Sequence, residues 1–141
     1  MPVETHRFTM RSRGRTQVID LTGEVEKKLA AGGIQNGTVT VFVIGSTAGI
    51  TTTEYEPGLA ETDLKAFFER LAPEDGSYEH EKTWHDDNGH SHLRASLLGP
   101  SVTIPLVAGR LTLGQWQQVV LLDFDTRPRQ RDIVVQVVGE G

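Results

Sequence analysis

Four of the five histidines in this chain lie within thirteen residues of one another. They are His80, His85, His90 and His92, and Asp86, Asp87 and Asn88 stand between them. Imidazole binds metal ions and exchanges protons near neutral pH, so such a density is seldom needed only to fill a core. We therefore predict that residues 78–92 form a loop-like segment in which the chemistry of the protein takes place.

A metal centre is the first chemistry that this segment can support. Such a centre needs two to four imidazoles or carboxylates that converge on one point. His90 and His92 would share a face of a strand, and both could chelate from a loop, while His80 is far enough away to return from a neighbouring segment. We therefore predict His80, His90 and His92 as ligands of a divalent metal ion. No standard zinc signature is present, so zinc and magnesium both remain open.

Two other interpretations of the histidine segment stay open. Histidine and aspartate side chains can perform acid–base catalysis without any metal. The segment can also be a polar surface loop whose histidines have no function, and His85 is the member that fits this description best.

A small-residue segment, Gly45-Ser46-Thr47-Ala48-Gly49, follows a β-branched run at 38–44. Small residues let backbone amides approach an anion closely, and the hydroxyls of Ser46 and Thr47 add donors. An ordinary turn has the same composition, and the lysine of a phosphate-binding P-loop is absent. Glu54 ends the next strand pattern, where it can be an acid, a base, a metal ligand or simply an exposed strand-end residue.

Three arginines occupy five residues in a turn near the end of the chain, at Arg127, Arg129 and Arg131. The guanidinium group matches the geometry of phosphate and carboxylate. The turn is therefore a candidate for binding an anionic substrate, although solvated arginines or salt bridges between subunits explain it equally well.

The composition narrows the class of protein. A chain of 141 residues with 37% hydrophobic and 23% charged residues fits one compact domain, residues 1–141. A net charge of −5 argues against a nucleic-acid binder, which would present a basic face. The absence of cysteine excludes disulfides, thiolate metal sites and cysteine nucleophiles. There is neither a signal-peptide pattern nor an apolar run of membrane-spanning length, so we expect a cytoplasmic protein with no membrane partner.

The periodicity of apolar residues predicts two main helices among about seven strands. The helices are expected at 21–29 and 59–71, with a further helical turn or two at 92–98. The strands are expected at 5–10, 16–19, 38–44, 50–55, 101–107, 115–124 and 132–138. Because helices and strands do not alternate regularly, we predict an α+β fold with mixed or antiparallel sheets.

Five segments in this order resemble the YjbQ family, whose members are described as secondary thiamine-phosphate synthases. They are Tyr78-Glu79-His80, Asp86-Asp87-Asn88-Gly89-His90-Ser91-His92-Leu93, Leu98-Gly99-Pro100-Ser101, Gly114-Gln115-Trp116-Gln117 and Asp125-Thr126-Arg127-Pro128-Arg129-Gln130-Arg131. The resemblance runs from about Ser12 to Gly139, which is nearly the whole chain.

The resemblance implies a homotrimer with its active site near a subunit boundary. It also implies a reaction that joins a pyrimidine pyrophosphate to a thiazole phosphate and releases pyrophosphate, as a side activity. A metal-dependent hydrolase of a small anionic substrate and a non-enzymatic trimeric protein that binds a ligand or metal are the alternatives. The residues that match the family pattern in the site are His80, Asp86, Asn88, His92 and Glu54, with Arg129 and Arg131 in the basic turn.

One departure from the family pattern concerns the small-residue segment. Many relatives carry histidine where this chain has Gly45, and asparagine where it has Thr53. The chain therefore lacks one imidazole of the usual set. We expect His90 or His85 to take the place of that imidazole.

Overall fold

Eight strands and four helical segments make up the chain in a computed structural model that describes all residues from 1 to 141. The strands are β1 (Val3–Ser12), β2 (Gln17–Asp20), β3 (Asn36–Ile44), β4 (Ala48–Glu54), β5 (Ser101–Val107), β6 (Arg110–Leu111), β7 (Gln117–Asp123) and β8 (Arg129–Glu140). The helices are α1 (Thr22–Ala31), α2 (Leu64–Leu71, preceded by a π-helical turn at Leu59–Asp63), α3 (Glu79–Trp84) and α4 (Gly89–Leu98).

The strands form two sheets, and every pairing in both of them is antiparallel. The larger sheet has the order β1-β8-β3-β5-β6, and the smaller one has the order β2-β7-β4. Alternate residues of β3, namely Val39, Val41 and Val43, are fully buried. They pack in a core shared with residues of the smaller sheet and of α1. The period-two alternation thus directs one face of each sheet toward the other.

Strand β7 lies in the middle of the molecule and is buried on both faces. Val119 and Leu121 belong to the core between the sheets. Val120 and Leu122 point the opposite way and pack with Phe68 of α2 and the α4 residue Ala95. This strand is therefore a continuous apolar run rather than an alternating one, and it fixes the helices against the outer face of the smaller sheet.

The α+β fold and the antiparallel sheets confirm the predictions from sequence, but the number of helices is larger than predicted. The predicted helix at 59–71 is divided into a π-helical turn and α2, and Ala72 ends it directly before Pro73. The histidine segment was expected to be loop-like, whereas it contains α3 and the first turns of α4. No helix in the structure has the length and apolar character needed to cross a membrane.

Candidate functional site

Two imidazole rings, those of His80 and His92, face each other across the junction of α3 and α4. Their centroids are 4.6 Å apart, with the ring planes inclined at 62°. His85 ends α3 in the left-handed conformation, with φ at 54°, and α4 begins four residues later at Gly89. This tight reversal is what brings the first helix back over the second and places the two rings in contact.

The ring of His80 is held at its Nε2 atom by two oxygens. Nε2 lies 3.0 Å from Oδ1 of Asn88 and 3.3 Å from Oδ1 of Asp86. Because both neighbours are hydrogen-bond acceptors, Nε2 is the nitrogen that carries the proton. In the neutral ring, Nδ1 is then the nitrogen with the free lone pair.

The ring of His92 is held through Nδ1, whereas that of His80 is held through Nε2. Its Nδ1 donates to the backbone carbonyl of Ser46, at 3.1 Å, so that Nε2 carries the free lone pair. The small-residue segment between β3 and β4 therefore orients a histidine through its backbone. Together the two rings offer one free nitrogen each, Nδ1 of His80 and Nε2 of His92, for binding a metal or accepting a proton.

Two carboxylates next to His80, those of Glu81 and Asp86, complete this cluster. Oδ1 of Asp86 is sealed from solvent and makes no hydrogen bond, and the nearest imidazole nitrogen is Nε2 of His80, 3.3 Å away. Glu81 accepts a hydrogen bond from the backbone N–H of Gly89 at 2.6 Å. The ligating atoms of His80, Glu81 and Asp86 all lie within 4.8 Å of one another. Such a buried carboxylate oxygen favours a positive charge beside it, either an imidazolium or a metal ion.

A second polar cluster, built on β7 and β8, lies beside Ser46. Arg131 is buried and binds both oxygens of Asp123, with Nε–Oδ2 at 2.7 Å and Nη2–Oδ1 at 2.8 Å. Nη2 also donates to the hydroxyl of Thr47 at 2.6 Å. That hydroxyl in turn donates to Asp125 at 2.9 Å, and Arg129 donates to the same carboxylate at 2.7 Å. The cluster ties the loop after β3 to the turn between β7 and β8.

Asp125 is buried in this cluster and remains ionised. Burial opposes the charge, but the N–H of Thr126, the hydroxyl of Thr47 and the guanidinium of Arg129 together lower the pKa of Asp125. The carboxylate is thus a fixed anion that holds Arg129 at the edge of the site.

Sequence and structure comparisons agree on a single relationship. Residues 6–140 match the family model described as UPF0047 protein YjbQ-like. The chain belongs to the YjbQ/UPF0047 family. It is 39% identical to a UPF0047 protein of Methanothermobacter thermautotrophicus, over 99% of this chain and 95% of that protein. A UPF0047 protein of Archaeoglobus fulgidus is 36% identical, over 93% of this chain and 98% of that one.

Solved structures show the same fold. A hypothetical protein from Aeropyrum pernix K1 superposes with a TM-score of 0.90 at 38% identity, covering 97% of this chain and 99% of its own. A YbjQ-like protein of unknown function from Sulfolobus solfataricus P2 gives a TM-score of 0.87 at 31% identity, covering 99% and 100%. The chain therefore has a YjbQ-like fold.

The structure brings together most of the residues that the family resemblance singled out. His80, Asp86, Asn88 and His92 form one cluster, with Ser46 in contact through its carbonyl group. The Ser46 hydroxyl is exposed and makes no hydrogen bond within the chain. Arg129 lies in the second cluster, where it is held by Asp125; it is 45% exposed, and neither of its terminal nitrogens makes a hydrogen bond within the chain.

His90 is not brought to this cluster, which corrects its assignment as a metal ligand. In a strand or a loop, the side chains of His90 and His92 could point the same way, and that is the basis of the prediction. In α4 two positions two residues apart point about 200° away from each other. The ring of His90 is therefore buried on the other side of the helix, 6.4 Å from the ring of Tyr78, and its Nδ1 has no partner.

Glu54 and Thr47 also differ from their predicted roles. Strand β4 starts beside the site, where Ala48 pairs with Asp123, and Glu54 pairs with Gln117 at its other end. Six residues of extended strand correspond to about 20 Å, so Glu54 lies away from the two histidines of its own chain. The hydroxyl of Thr47 is buried and already bonded to Asp125 and Arg131, so it positions those groups and is not free for substrate.

Neither histidine proposed to replace the one missing at Gly45 does so. His90 faces away, and His85 is exposed at the end of α3. The atom nearest to the position where a side chain at Gly45 would begin is Nη1 of Arg131, 2.8 Å away. An arginine therefore lies beside the position at which the family resemblance leads us to expect an imidazole.

Three groups in the site were missed by sequence reasoning. Asp123 is fully buried in a run of apolar residues, which is a signal that a charged partner must exist. Glu81 and the carbonyl of Ser46 gave no such signal, because their roles depend on where α3 and the β3–β4 loop meet α4. Only the tertiary structure places them there.

The buried His90 predicts a loss of stability in mild acid. Burial and the guanidinium of Arg94 lower its pKa from 6.5, against the weaker opposing effect of Glu74, Glu69 and Glu81. Below 6.5 the unfolded chain binds more protons at this position than the folded one, so stability falls as the pH drops.

We expect the free energy of unfolding in urea to decrease more for the wild type than for His90→Gln between about pH 7.5 and pH 5.5. A metal chelator is included so that metal binding does not contribute. An equal decrease in the two proteins would show that His90 is not the titrating group.

Proposed function

We propose that this YjbQ-family protein is an enzyme that acts on small phosphorylated substrates at the His80–His92 pair. The reaction that the family resemblance suggests joins a pyrimidine pyrophosphate to a thiazole phosphate: a C–N bond forms as the C–O bond to pyrophosphate breaks. The proposal rests on how the two rings are hydrogen-bonded: His80 is held through Nε2 and His92 through Nδ1. Each ring has one nitrogen fixed as a donor and the other free, which is how imidazoles are prepared for acid–base or metal chemistry.

The charges around the pair suit a leaving pyrophosphate. An imidazolium at His80 or His92 would neutralise negative charge as it develops on the leaving oxygen. Arg129 adds a second cation whose outer nitrogens are free. Ser46, whose carbonyl contacts His92, is exposed, and its hydroxyl can donate to a phosphate oxygen.

The proposal includes a divalent transition-metal ion held by Nδ1 of His80 and Nε2 of His92. Histidine ligands of metals usually donate their other N–H to a carboxylate or a backbone carbonyl. His92 makes such a bond to the carbonyl of Ser46, and His80 makes its bond to the amide oxygen of Asn88, with Asp86 3.3 Å from the same nitrogen. Nitrogen ligands of this kind suit zinc better than magnesium. When bound, such an ion would neutralise phosphate charge and lower the pKa of bound water.

Metal binding can be tested on protein purified without a histidine tag. We expect one equivalent of Zn²⁺ to bind in a calorimetric titration, and we expect His80→Ala and His92→Ala each to abolish it. His85→Ala is the matched control, because His85 lies in the same segment but is exposed and outside the cluster. Wild-type stoichiometry in both site variants would exclude this ligand pair.

A metal-dependent hydrolase is the second candidate, and the same free nitrogens favour it. In that case water, rather than the thiazole nitrogen, attacks the substrate. Incubation with both precursors and Mg²⁺ or Zn²⁺ separates the two reactions. Thiamine phosphate formed together with pyrophosphate supports the synthase. Release of pyrophosphate that is independent of the thiazole phosphate supports the hydrolase, and no reaction with either metal leaves the third possibility, a binding protein without catalysis.

A further inference from the structure

We propose that Nη1 of Arg131 is a phosphate-binding donor that substrate reaches over Gly45, directly beside the histidine pair. This inference rests on the proposed function, because it assigns a subsite for the anionic part of the same substrate. The ligand chemistry is that of a phosphate or pyrophosphate oxygen, which guanidinium nitrogens bind with good geometry.

Two of the three guanidinium nitrogens of Arg131 are hydrogen-bonded within the protein, and the third, Nη1, is not. Its side chain is only 6% exposed, and Nε and Nη2 are held by Asp123 and Thr47. Nη1 makes no hydrogen bond within the protein, yet it is not among the buried polar atoms sealed from solvent. A donor that is rigid, partly desolvated and still accessible loses little entropy when it binds an anion.

The glycine at position 45 is what keeps this donor accessible. A Cβ atom built there would lie 2.8 Å from Nη1, and Cζ of Arg131, at 3.9 Å, is the one other atom within 4 Å outside the adjoining residues. Space is therefore open on every side except toward the guanidinium. Continuing the β3–β8 register, in which Ile44 pairs with Asp132, by one residue sets Gly45 opposite Arg131.

The position of Gly45 also connects the donor to the histidine pair. The next residue, Ser46, accepts the hydrogen bond from Nδ1 of His92 through its carbonyl group. The guanidinium of Arg131 thus lies beside Gly45, and the imidazole of His92 contacts the carbonyl group of the next residue. Because both groups contact the same short loop, we place the anionic part of the substrate between Nη1 and the histidine pair.

The net charge of the groups around Arg131 determines which anion the subsite prefers. Arg131 is paired with Asp123, so this pair is neutral overall and Nη1 contributes a directed hydrogen bond rather than a net positive charge. Arg129 is likewise paired with Asp125, so a net positive charge would come from the metal ion proposed at the histidine pair. The subsite should consequently prefer pyrophosphate, which can span these groups, to the smaller inorganic phosphate.

The test is calorimetric binding of inorganic pyrophosphate to the wild type, Gly45→Ala and Gly99→Ala. We expect Gly45→Ala to weaken binding at least tenfold, because the added methyl group meets Nη1. Gly99→Ala is the matched control: its φ of 92° imposes a similar backbone cost, but a Cβ there meets no atom within 4 Å. We expect this control to bind pyrophosphate like the wild type.

A second measurement does not depend on how well the variants fold. Addition of pyrophosphate to wild-type protein should shift the side-chain guanidinium NMR resonances of Arg131 but not those of Arg110, which is on β6. Wild-type affinity in a folded Gly45→Ala protein, no binding to the wild type, or an unmoved Arg131 resonance would each overturn the subsite. Loss of binding in Gly45→Ala without any synthase activity in the wild type would support the subsite while rejecting the synthase reaction.

Discussion

Replacing His92 by alanine is expected to lower the rate of thiamine phosphate formation by about 10²- to 10⁴-fold, the usual contribution of a positioned acid–base group. The decrease should be in kcat rather than KM, because the free Nε2 contributes to charge or proton transfer in the transition state more than to binding of the rings. Steady-state assays with both precursors measure the two parameters separately. His85→Ala, in the same segment, should keep the wild-type rate.

The fold should survive the His92→Ala substitution, so the effect on rate can be assigned to the site. His92 is half-buried, and its ring makes one hydrogen bond, to the carbonyl of Ser46. The thermal unfolding midpoint of the variant should therefore stay within a few degrees of the wild-type value. If the rate of a folded His92→Ala protein equals that of the wild type, His92 has no part in the reaction.

The strands of the core could be predicted because their signal is local. The β-branched run from Thr38 to Ile44 predicts a strand central in a sheet, and it is β3, which lies between β8 and β5 and buries one face while Phe42 and Ile44 are exposed on the other. The short helices α3 and α4 could not be predicted equally well. Helices of six and ten residues have little intrinsic stability and depend on tertiary contacts. One such contact is the hydrogen bond from Ser91 to the carbonyl of Phe124, and nothing in the sequence of the segment announces it.

The same limit explains which site residues were found. His80 and His92 stood out by residue type and by the family resemblance, whereas the direction of each ring depends on the helix that carries it. Assigning a strand or loop to residues 90–92 placed His90 beside His92, and the helix separates them. The role of Asp123 depends on its contact with Arg131, eight residues away in the chain. The role of Ser46 depends on its contact with His92, 46 residues away. Sequence patterns over short windows do not contain that information.

Replacing Arg131 by methionine is expected to destabilise the protein by about 3–5 kcal/mol, the usual cost of leaving a buried charge without its partner. Asp123 is fully buried, and Arg131 binds both of its carboxylate oxygens. Urea unfolding followed by circular dichroism gives the free energy. Arg127→Met is the control: its ion pair with Asp87 is 61% and 63% exposed, so its loss should cost less than about 1 kcal/mol.

A double-mutant cycle tells whether the charge of Asp123 is the cause. In Arg131→Met/Asp123→Leu no buried charge is left unpaired, so this protein should be more stable than Arg131→Met alone. If the double variant is no more stable, the cost comes from lost packing and from the Thr47 hydrogen bond instead. The double variant also has no guanidinium at position 131, so a stable double variant that has lost pyrophosphate binding would show that Arg131 contributes to binding as well as to stability.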